Sequence, residues 1–187
     1  SYVYLQFCVL GSQGCGKTSL CNRFTTDRWY EEGQTQESHW KNHLMDGTNF
    51  NISMNEVRND AGAYYVQIAQ GFVLVYSIDS RESFEQLKSF WSLIESQKQN
   101  MTSASKPKVV VIGTKSDLPS KEFRKVQPSE GELFAKEHGG LFLEVSAKTG
   151  ENVLFAFETL LREIVSDPTF KPNTYPYYYN KKKCTIL

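Results

Sequence analysis

The sequence predicts an α/β fold: six strands in a mostly parallel sheet, one antiparallel strand at the edge, and helices on both faces. Three observations carry this. Phe72–Ile78 (FVLVYSI) is nearly continuous apolar sequence, the mark of a strand covered on both faces. Runs of this kind alternate with segments of helical period, which is the pattern of βαβ units. Asp46-Gly47 separates two β-rich segments, a turn signal that makes them an antiparallel hairpin.

In chain order, Tyr2–Leu10 is β-rich and ends at glycines, so it reads as a buried strand and not as a secretory leader. Gly11–Thr18 is a loop, and Lys17–Thr26 a helix with Leu20 and Phe24 four apart. Trp29–Gln36 is polar and aperiodic, a surface loop. His39–Met45 and Phe50–Met54 form the hairpin, and Asn55–Gly62 is polar and irregular. After the Phe72–Ile78 strand, Ser80–Asn100 is a helix whose apolar stripe is Phe84, Leu87, Phe90, Trp91 and Ile94. Lys108–Ile112 is a further buried strand. Ser129–His138 is a helix, with Ser129 and Glu132 spaced as a capping box and Gly139-Gly140 as its stop. Leu141–Val145 is the last strand, and Val153–Ile164 a helix with Val153, Phe157, Leu160 or Leu161, and Ile164 on one face. Pro168, Pro172 and Pro176 then break any regular structure. One domain is expected over residues 1–166, with 167–187 as a tail outside the fold.

Composition narrows the function. Hydrophobic residues make up 40% and charged residues 22%, a globular balance. Lys and Arg number 21, as do Asp and Glu, so the chain is not a broadly basic nucleic-acid binder. The zero sum hides an asymmetry: the last seven residues contain Lys181, Lys182 and Lys183 and no acid. Four cysteines without a CxxC support neither a disulfide scaffold nor a zinc site. His39, His43 and His138 are scattered and none reads as a metal ligand.

Gly11-Ser12-Gln13-Gly14-Cys15-Gly16-Lys17-Thr18 matches G-x-x-x-x-G-K-[ST] at a strand-to-helix junction. Glycines there let amide N–H groups converge on phosphate oxygens, and the helix N-terminus adds free donors and the positive dipole end. Lys17 would reach the β and γ phosphates, and Thr18 would ligate Mg²⁺.

A phosphate cradle does not name the base. Thr114-Lys115-Ser116-Asp117 follows one predicted strand and Ser146-Ala147-Lys148 another. With the phosphate loop at this spacing, the chain resembles the Ras superfamily of small GTPases over residues 2–166. The resemblance implies a P-loop NTPase G domain that binds GTP or GDP with Mg²⁺. An aspartate such as Asp117 can accept from guanine N1–H and the 2-amino group, a donor pair adenine lacks. The resemblance further implies that Thr114 belongs to the guanine motif and that Lys115 and Lys148 cover the ring. It assigns the Ala147 N–H to guanine O6, Ser146 to the second base-contact motif, and Trp29 to the aromatic edge beside the base. An ATP-using P-loop kinase is the weaker reading, because both base motifs speak for guanine.

The match weakens at the switches. Gln13 stands where the family has a second loop glycine, crowding the attacking water and any inserted arginine. Thr35 is the only threonine available for the first switch and its Mg²⁺ contact, without the family's preceding proline. Asn59-Asp60-Ala61-Gly62-Ala63 is the nearest match to the second switch. There Asn59 or Asp60 would serve the metal side, the Gly62 N–H the γ phosphate, and Ala63 would replace the water-orienting glutamine. The alignment is not unique, and Glu56 is a second candidate near the metal. The segment between Gly62 and Gly71 is also several residues short for the usual switch helix. These departures are compatible with a divergent member, an altered one, or a sequence from which mobile residues are missing.

The sequence ends Lys181-Lys182-Lys183-Cys184-Thr185-Ile186-Leu187. Cys-a-a-X with leucine last reads as geranylgeranylation of Cys184, and the lysines as its anionic-lipid partner. The expectation is a monomeric switch on the cytoplasmic face of a membrane, slow at unaided GTP hydrolysis. Its partners would be effectors, exchange factors and activating proteins. The competing reading is a pseudo-GTPase that serves as a constitutive interaction module.

Overall fold

The computed structural model describes residues 2–31, 39–57, 62–99 and 106–175. Its strands are β1 (Tyr2–Leu10), β2 (Trp40–Met45), β3 (Thr48–Val57), β4 (Gly71–Ser77), β5 (Lys108–Thr114), β6 (Leu141–Val145) and β7 (Asn173–Tyr175). The helices are α1 (Lys17–Thr26), α2 (Gly62–Ile68), α3 (Arg81–Glu85), α4 (Leu87–Gln99), α5 (Ser120–Phe123), α6 (Pro128–Glu137) and α7 (Val153–Val165). The main sheet runs β2-β3-β1-β4-β5-β6, with β7 beside β1. Only β2 on that six-strand path is antiparallel to its neighbour. The α/β fold with its antiparallel edge strand stands as the sequence predicts.

Strand alternation divides the core. Leu5, Phe7 and Val9 of β1 face a cluster with Leu20 and Phe24 of α1 and Phe157 and Leu160 of α7. Cys8 and Leu10 face the other cluster, with Val66 of α2, Leu87 and Ile94 of α4, and Phe134 of α6. This is the period of two expected of a strand buried on both sides. The Phe24 and Phe157 rings stack at 4.1 Å, tying α1 to α7. The β2–β3 turn places Asp46 and Gly47 at φ 50° and 78°, as a two-residue hairpin of the mirror-image type requires.

Five local expectations are corrected. β3 runs to Val57, because Cys8, Val9 and Leu10 of β1 pair with Asn55, Glu56 and Val57. The long helix after Ser80 is broken at Gln86 into α3 and α4, with Ser80 capping α3 by accepting from the Ser83 N–H. α6 starts at Pro128, and its box is Gln127 with Glu130, not Ser129 with Glu132. The fixed φ of proline suits the first helical position, and a Glu130 carboxylate oxygen accepts from the Gln127 N–H at 2.9 Å. The segment between Gly62 and Gly71, expected to be several residues short for the usual switch helix, holds the seven-residue α2, with Val66 buried. α5 was not anticipated.

The fifth correction concerns the tail. β4 pairs with β1 only from Phe7 to Leu10, leaving that side of Tyr2–Tyr4 open, and β7 pairs there antiparallel. Phe170 packs on the α1–α7 cluster. Asp167 pairs with Lys108 at 3.0 Å. The Thr169 hydroxyl and N–H, followed by Lys108, hold the Asp167 carboxyl down to about 2. Residues 167–175 therefore belong to the folded body, and residues 176–187 lie outside the described residues.

Truncation after Ser166 removes this strap. The expected loss is about 1–3 kcal/mol, or a Tm lower by roughly 3–10 °C. Thermal unfolding of the two forms measures it, and an unchanged Tm would contradict the docking.

Candidate functional site

A cleft of about 780 Å³ opens where β1 passes into α1, with Gly11, Gln13, Gly14, Lys17 and Thr18 in its wall. Trp29, Tyr30 and Glu31 close it on one side, and Gln86, Phe90 and Lys115 on another. It lies at the carboxyl end of the strands, where open α/β sheets bind ligands.

The loop's shape is set by contacts from below. Gly14 and Gly16 adopt φ 77° and 94°. A Cβ on Gly11 would stand 2.3 Å from the Val75 carbonyl oxygen, so the chain leaves β1 with no room for a side chain. The Thr114 hydroxyl on β5 donates to the Cys15 carbonyl at 2.6 Å. Lys17, only 6% exposed, donates from Nζ to the Gly11 and Ser12 carbonyls at 2.7 Å each. α1 begins after Gly16 with no side-chain cap, so its first N–H groups keep no partner of that kind. Cys15 contributes backbone only: its thiol is buried, and burial pushes its pKa up, partly offset by Lys17.

A polar cluster stands at one side of this loop. The Thr18 hydroxyl donates to Glu56 Oε2 at 2.8 Å. His39 Nε2 lies 3.1 Å from Glu56 Oε1, with the two side chains 10% and 6% exposed. Asn22, one helical turn beyond Thr18, lines the same cleft and is 2% exposed. Asn22 Oδ1 and His39 Nδ1 are buried without a hydrogen-bond partner among the described residues. Of Asn59, Asp60 and Glu56, the candidates for the metal side, the described residues include Glu56, which stands beside Thr18. Thr35, Asn59 and Asp60 lie outside the described residues. Gly62 and Ala63 open α2 and are not in the wall of the cleft.

At the ends of β5 and β6 the second group assembles. Ser146 Oγ donates to Asp117 Oδ1 at 2.6 Å and accepts from the Thr149 N–H at 3.1 Å. The Ser116 N–H reaches back to the Val145 carbonyl at 3.1 Å. Lys115, at φ 66°, lines the cleft and places Nζ 3.2 Å from Asp79. Burial would raise the Asp79 carboxyl, but the Ser77 hydroxyl and Lys115 outweigh it and hold it below its ordinary range. Ala147 is buried, while Lys148 and Asp117 are exposed. Trp29 is exposed at the cleft mouth.

The residues fit a nucleoside phosphate and a hard cation. Lys17 and the α1 N-terminus supply the positive end of a phosphate site. A hydroxyl and a carboxylate side by side are the donors Mg²⁺ takes from protein when phosphates and waters complete its shell. Asn22, which lines the cleft, and Asp79, which pairs with Lys115, are not among the residues the sequence singles out. Asn22 had one usable signal, its spacing of four from Thr18 on a helix. Asp79 had none, because strand register brings it in.

Gly11→Ala forces a Cβ against the Val75 carbonyl and costs about 3 kcal/mol of stability. Gly14→Ala meets no atom within 4 Å and costs only the left-handed strain, about 1–2 kcal/mol. Urea unfolding of both variants checks the order, and equal losses would contradict it.

The sequence matches the Ras family over residues 6–166. Among curated proteins it is 36% identical over 192 residues to Ras-like protein rasC of Dictyostelium discoideum, covering 98% of each chain. It is 31% identical over 172 residues to Ras-like protein rasU of the same organism, covering 86% of this chain and 76% of that one. It is also 31% identical over 183 residues to Ras-related protein Rab-18 of Caenorhabditis briggsae, covering 93% and 87%. A match across nearly the whole body, on a sheet whose first loop is a phosphate cradle, leaves one assignment: the chain belongs to the Ras family of small GTPases.

Proposed function

We propose that this chain is a guanine-nucleotide switch that holds GTP for long periods and hydrolyses it slowly without help. The observation that carries the reading is Asp117, held by the Ser146 hydroxyl at 2.6 Å beside Lys115. A fixed carboxylate at that end of a phosphate cradle accepts from two guanine donors and is left unpaired by adenine. Lys115 and Lys148 would cover the ring, the Ala147 N–H would meet guanine O6, and Trp29 would close the edge.

At the phosphate end, Gly11, Gly14, Gly16 and the Cys15 backbone shape the loop, and Lys17 turns from the loop carbonyls to phosphate oxygen. Thr18 and Glu56 would hold Mg²⁺, which when bound neutralises charge on the β and γ phosphates. Gln13 is exposed in the cleft wall, where a water or a partner's arginine would need space. Ala63 offers no polar atom to orient that water. In Ras-type enzymes themselves an inserted arginine is worth about 10³–10⁵ in rate, so crowding at Gln13 also limits what an activating protein can add. Thr35, Asn59 and Asp60 would complete the switches, with the Gly62 N–H toward the γ phosphate.

The nucleotide unit is proposed as residues 1–166, with the 167–175 strap docked on it through β7 beside β1 and the chain beyond as tether. Cys184 would carry a geranylgeranyl group beside Lys181, Lys182 and Lys183, placing the monomeric body on the cytoplasmic face of a membrane. Among the described residues no helix is long and apolar enough to cross one. Effectors and exchange factors would read and reset the switch surface. Ala63 also favours a second reading, a module that binds partners without a cycle.

Asp117→Ala removes two charge-assisted hydrogen bonds at about 1.5–3 kcal/mol each, a loss of about 10²–10⁴ in GDP affinity. Weak ADP binding is expected to stay as it was. Equilibrium titration with fluorescent nucleotides measures both, and an unchanged GDP affinity would overturn the guanine reading. Ala63→Gln is expected to raise the single-turnover GTP hydrolysis rate about tenfold or more. No increase would favour the second reading.

A further inference from the structure

We infer that a notch at the end of the sheet opposite the cleft is a site for an anionic phospholipid whose headgroup carries a phosphate monoester. This rests on the reading that the tail holds the chain at a membrane. The notch encloses about 470 Å³ beside the first residues of β4 and β5. Its walls are the C-terminal turn of α2, residues 106–108 and the strap 167–171. Strand direction fixes where it faces. β4 and β5 run parallel to β1, so the notch lies at the edge where β1 starts and the phosphate loop at the edge where β1 ends. The strap reaches that same starting edge, with Tyr175 opposite Tyr2. Residues 176–187, with Lys181, Lys182 and Lys183, follow from there. A membrane that holds this tail meets the notch and leaves the nucleotide cleft on the far side.

The lining suits an amphipathic anion. It carries Lys106, Lys108 and Lys171 against one carboxylate, Asp167. Lys108 and Asp167 neutralise each other at 3.0 Å. Lys106 and Lys171 are exposed and have no ion pair among the described residues. A cavity of this volume is about 10 Å across as a sphere, and flexible lysine stems from two walls span it to one phosphate. Two free ammoniums match a phosphate monoester, which carries about −1.5 to −2 at neutral pH. Half-buried Ile68, Pro107 and Phe170 add apolar surface to the walls. A free phosphate gains nothing from that surface, whereas the glycerol and first methylenes of a lipid cover it. The walls are preformed. Phe170 packs on the core, and Gln70 and Gln6 exchange hydrogen bonds at 2.7 and 2.9 Å. Fixed walls can choose a headgroup, while the lysine run of the tail responds to surface charge alone.

The test floats the full chain with phosphatidylcholine vesicles carrying phosphatidylinositol 4-phosphate or phosphatidylserine, matched in total charge. The expected result is binding about tenfold tighter to the phosphatidylinositol 4-phosphate vesicles. Lys106→Gln combined with Lys171→Gln is expected to abolish that preference while binding to phosphatidylserine persists. Glutamine at positions 181, 182 and 183 is expected to weaken binding to both vesicles and keep their ratio. The unfolding midpoint of each variant is the folding control, and no change is expected for exposed lysines without partners. Dioctanoyl phosphatidylinositol 4-phosphate is expected to bind about tenfold or more tightly than its headgroup alone, glycerophosphoinositol 4-phosphate. Equal binding of the unaltered chain to the two vesicles would overturn the proposal, as would a preference that survives loss of Lys106 and Lys171. Headgroup binding as tight as that of the lipid would make the notch a free-phosphate site and overturn the lipid assignment. No binding to either anionic vesicle would overturn the membrane reading, and this proposal with it.

Discussion

The hydroxyl of Thr114 on the Cys15 carbonyl is the contact on which the site depends. A loop with two left-handed glycines and no space at Gly11 does not hold itself. It is pinned from β5 by Thr114 and stitched internally by Lys17. Thr114 also opens the segment that carries Lys115 and Asp117, so one residue fixes the phosphate loop and launches the base-side loop. Both ends of the cleft therefore share a reference point in the sheet. A displacement of β5 would move the two ends together instead of changing the distance between them.

The second constraint is the parallel register of β1 and β3. Leu10 faces Val57, and that pairing fixes Glu56 beside Thr18 at the end of the strand. The side chain reaches the hydroxyl directly, with His39 closing on its other oxygen. Because side chains alternate along a strand, a slip by one residue would turn Glu56 away from the cleft. The hairpin partner β2 is held in turn by Lys41, whose ammonium donates to the Phe24 carbonyl at 2.7 Å at the end of α1. The proposed cation side is thus built by the β2–β3 unit, and the proposed phosphate side by β1 and α1.

What was legible in the sequence follows from this division. The phosphate loop is contiguous and follows an apolar strand, so its own spacing makes it legible; the two base-side segments, equally contiguous, are legible only through the resemblance to the Ras superfamily. The fold class was legible because runs such as Phe72–Ile78 admit few alternatives. Glu56 and His39 are 17 positions apart and meet only through the β2–β3 pairing, so no spacing in the sequence brings them together. The α6 cap was misplaced by two residues because two box-like spacings overlap there and proline decided between them. β7 was invisible because three residues flanked by prolines carry no period. It forms because β4 leaves part of β1 unpaired.

The most direct measurement loads the full chain with GTP and Mg²⁺, denatures samples at intervals over hours, and identifies the released nucleotide by anion-exchange chromatography. The account predicts GTP retained throughout, with GDP accumulating slowly. Rapid conversion to GDP would contradict the proposal that Gln13 and Ala63 leave unaided hydrolysis slow. A protein that emerges with no guanine nucleotide would contradict the assignment of the cleft itself.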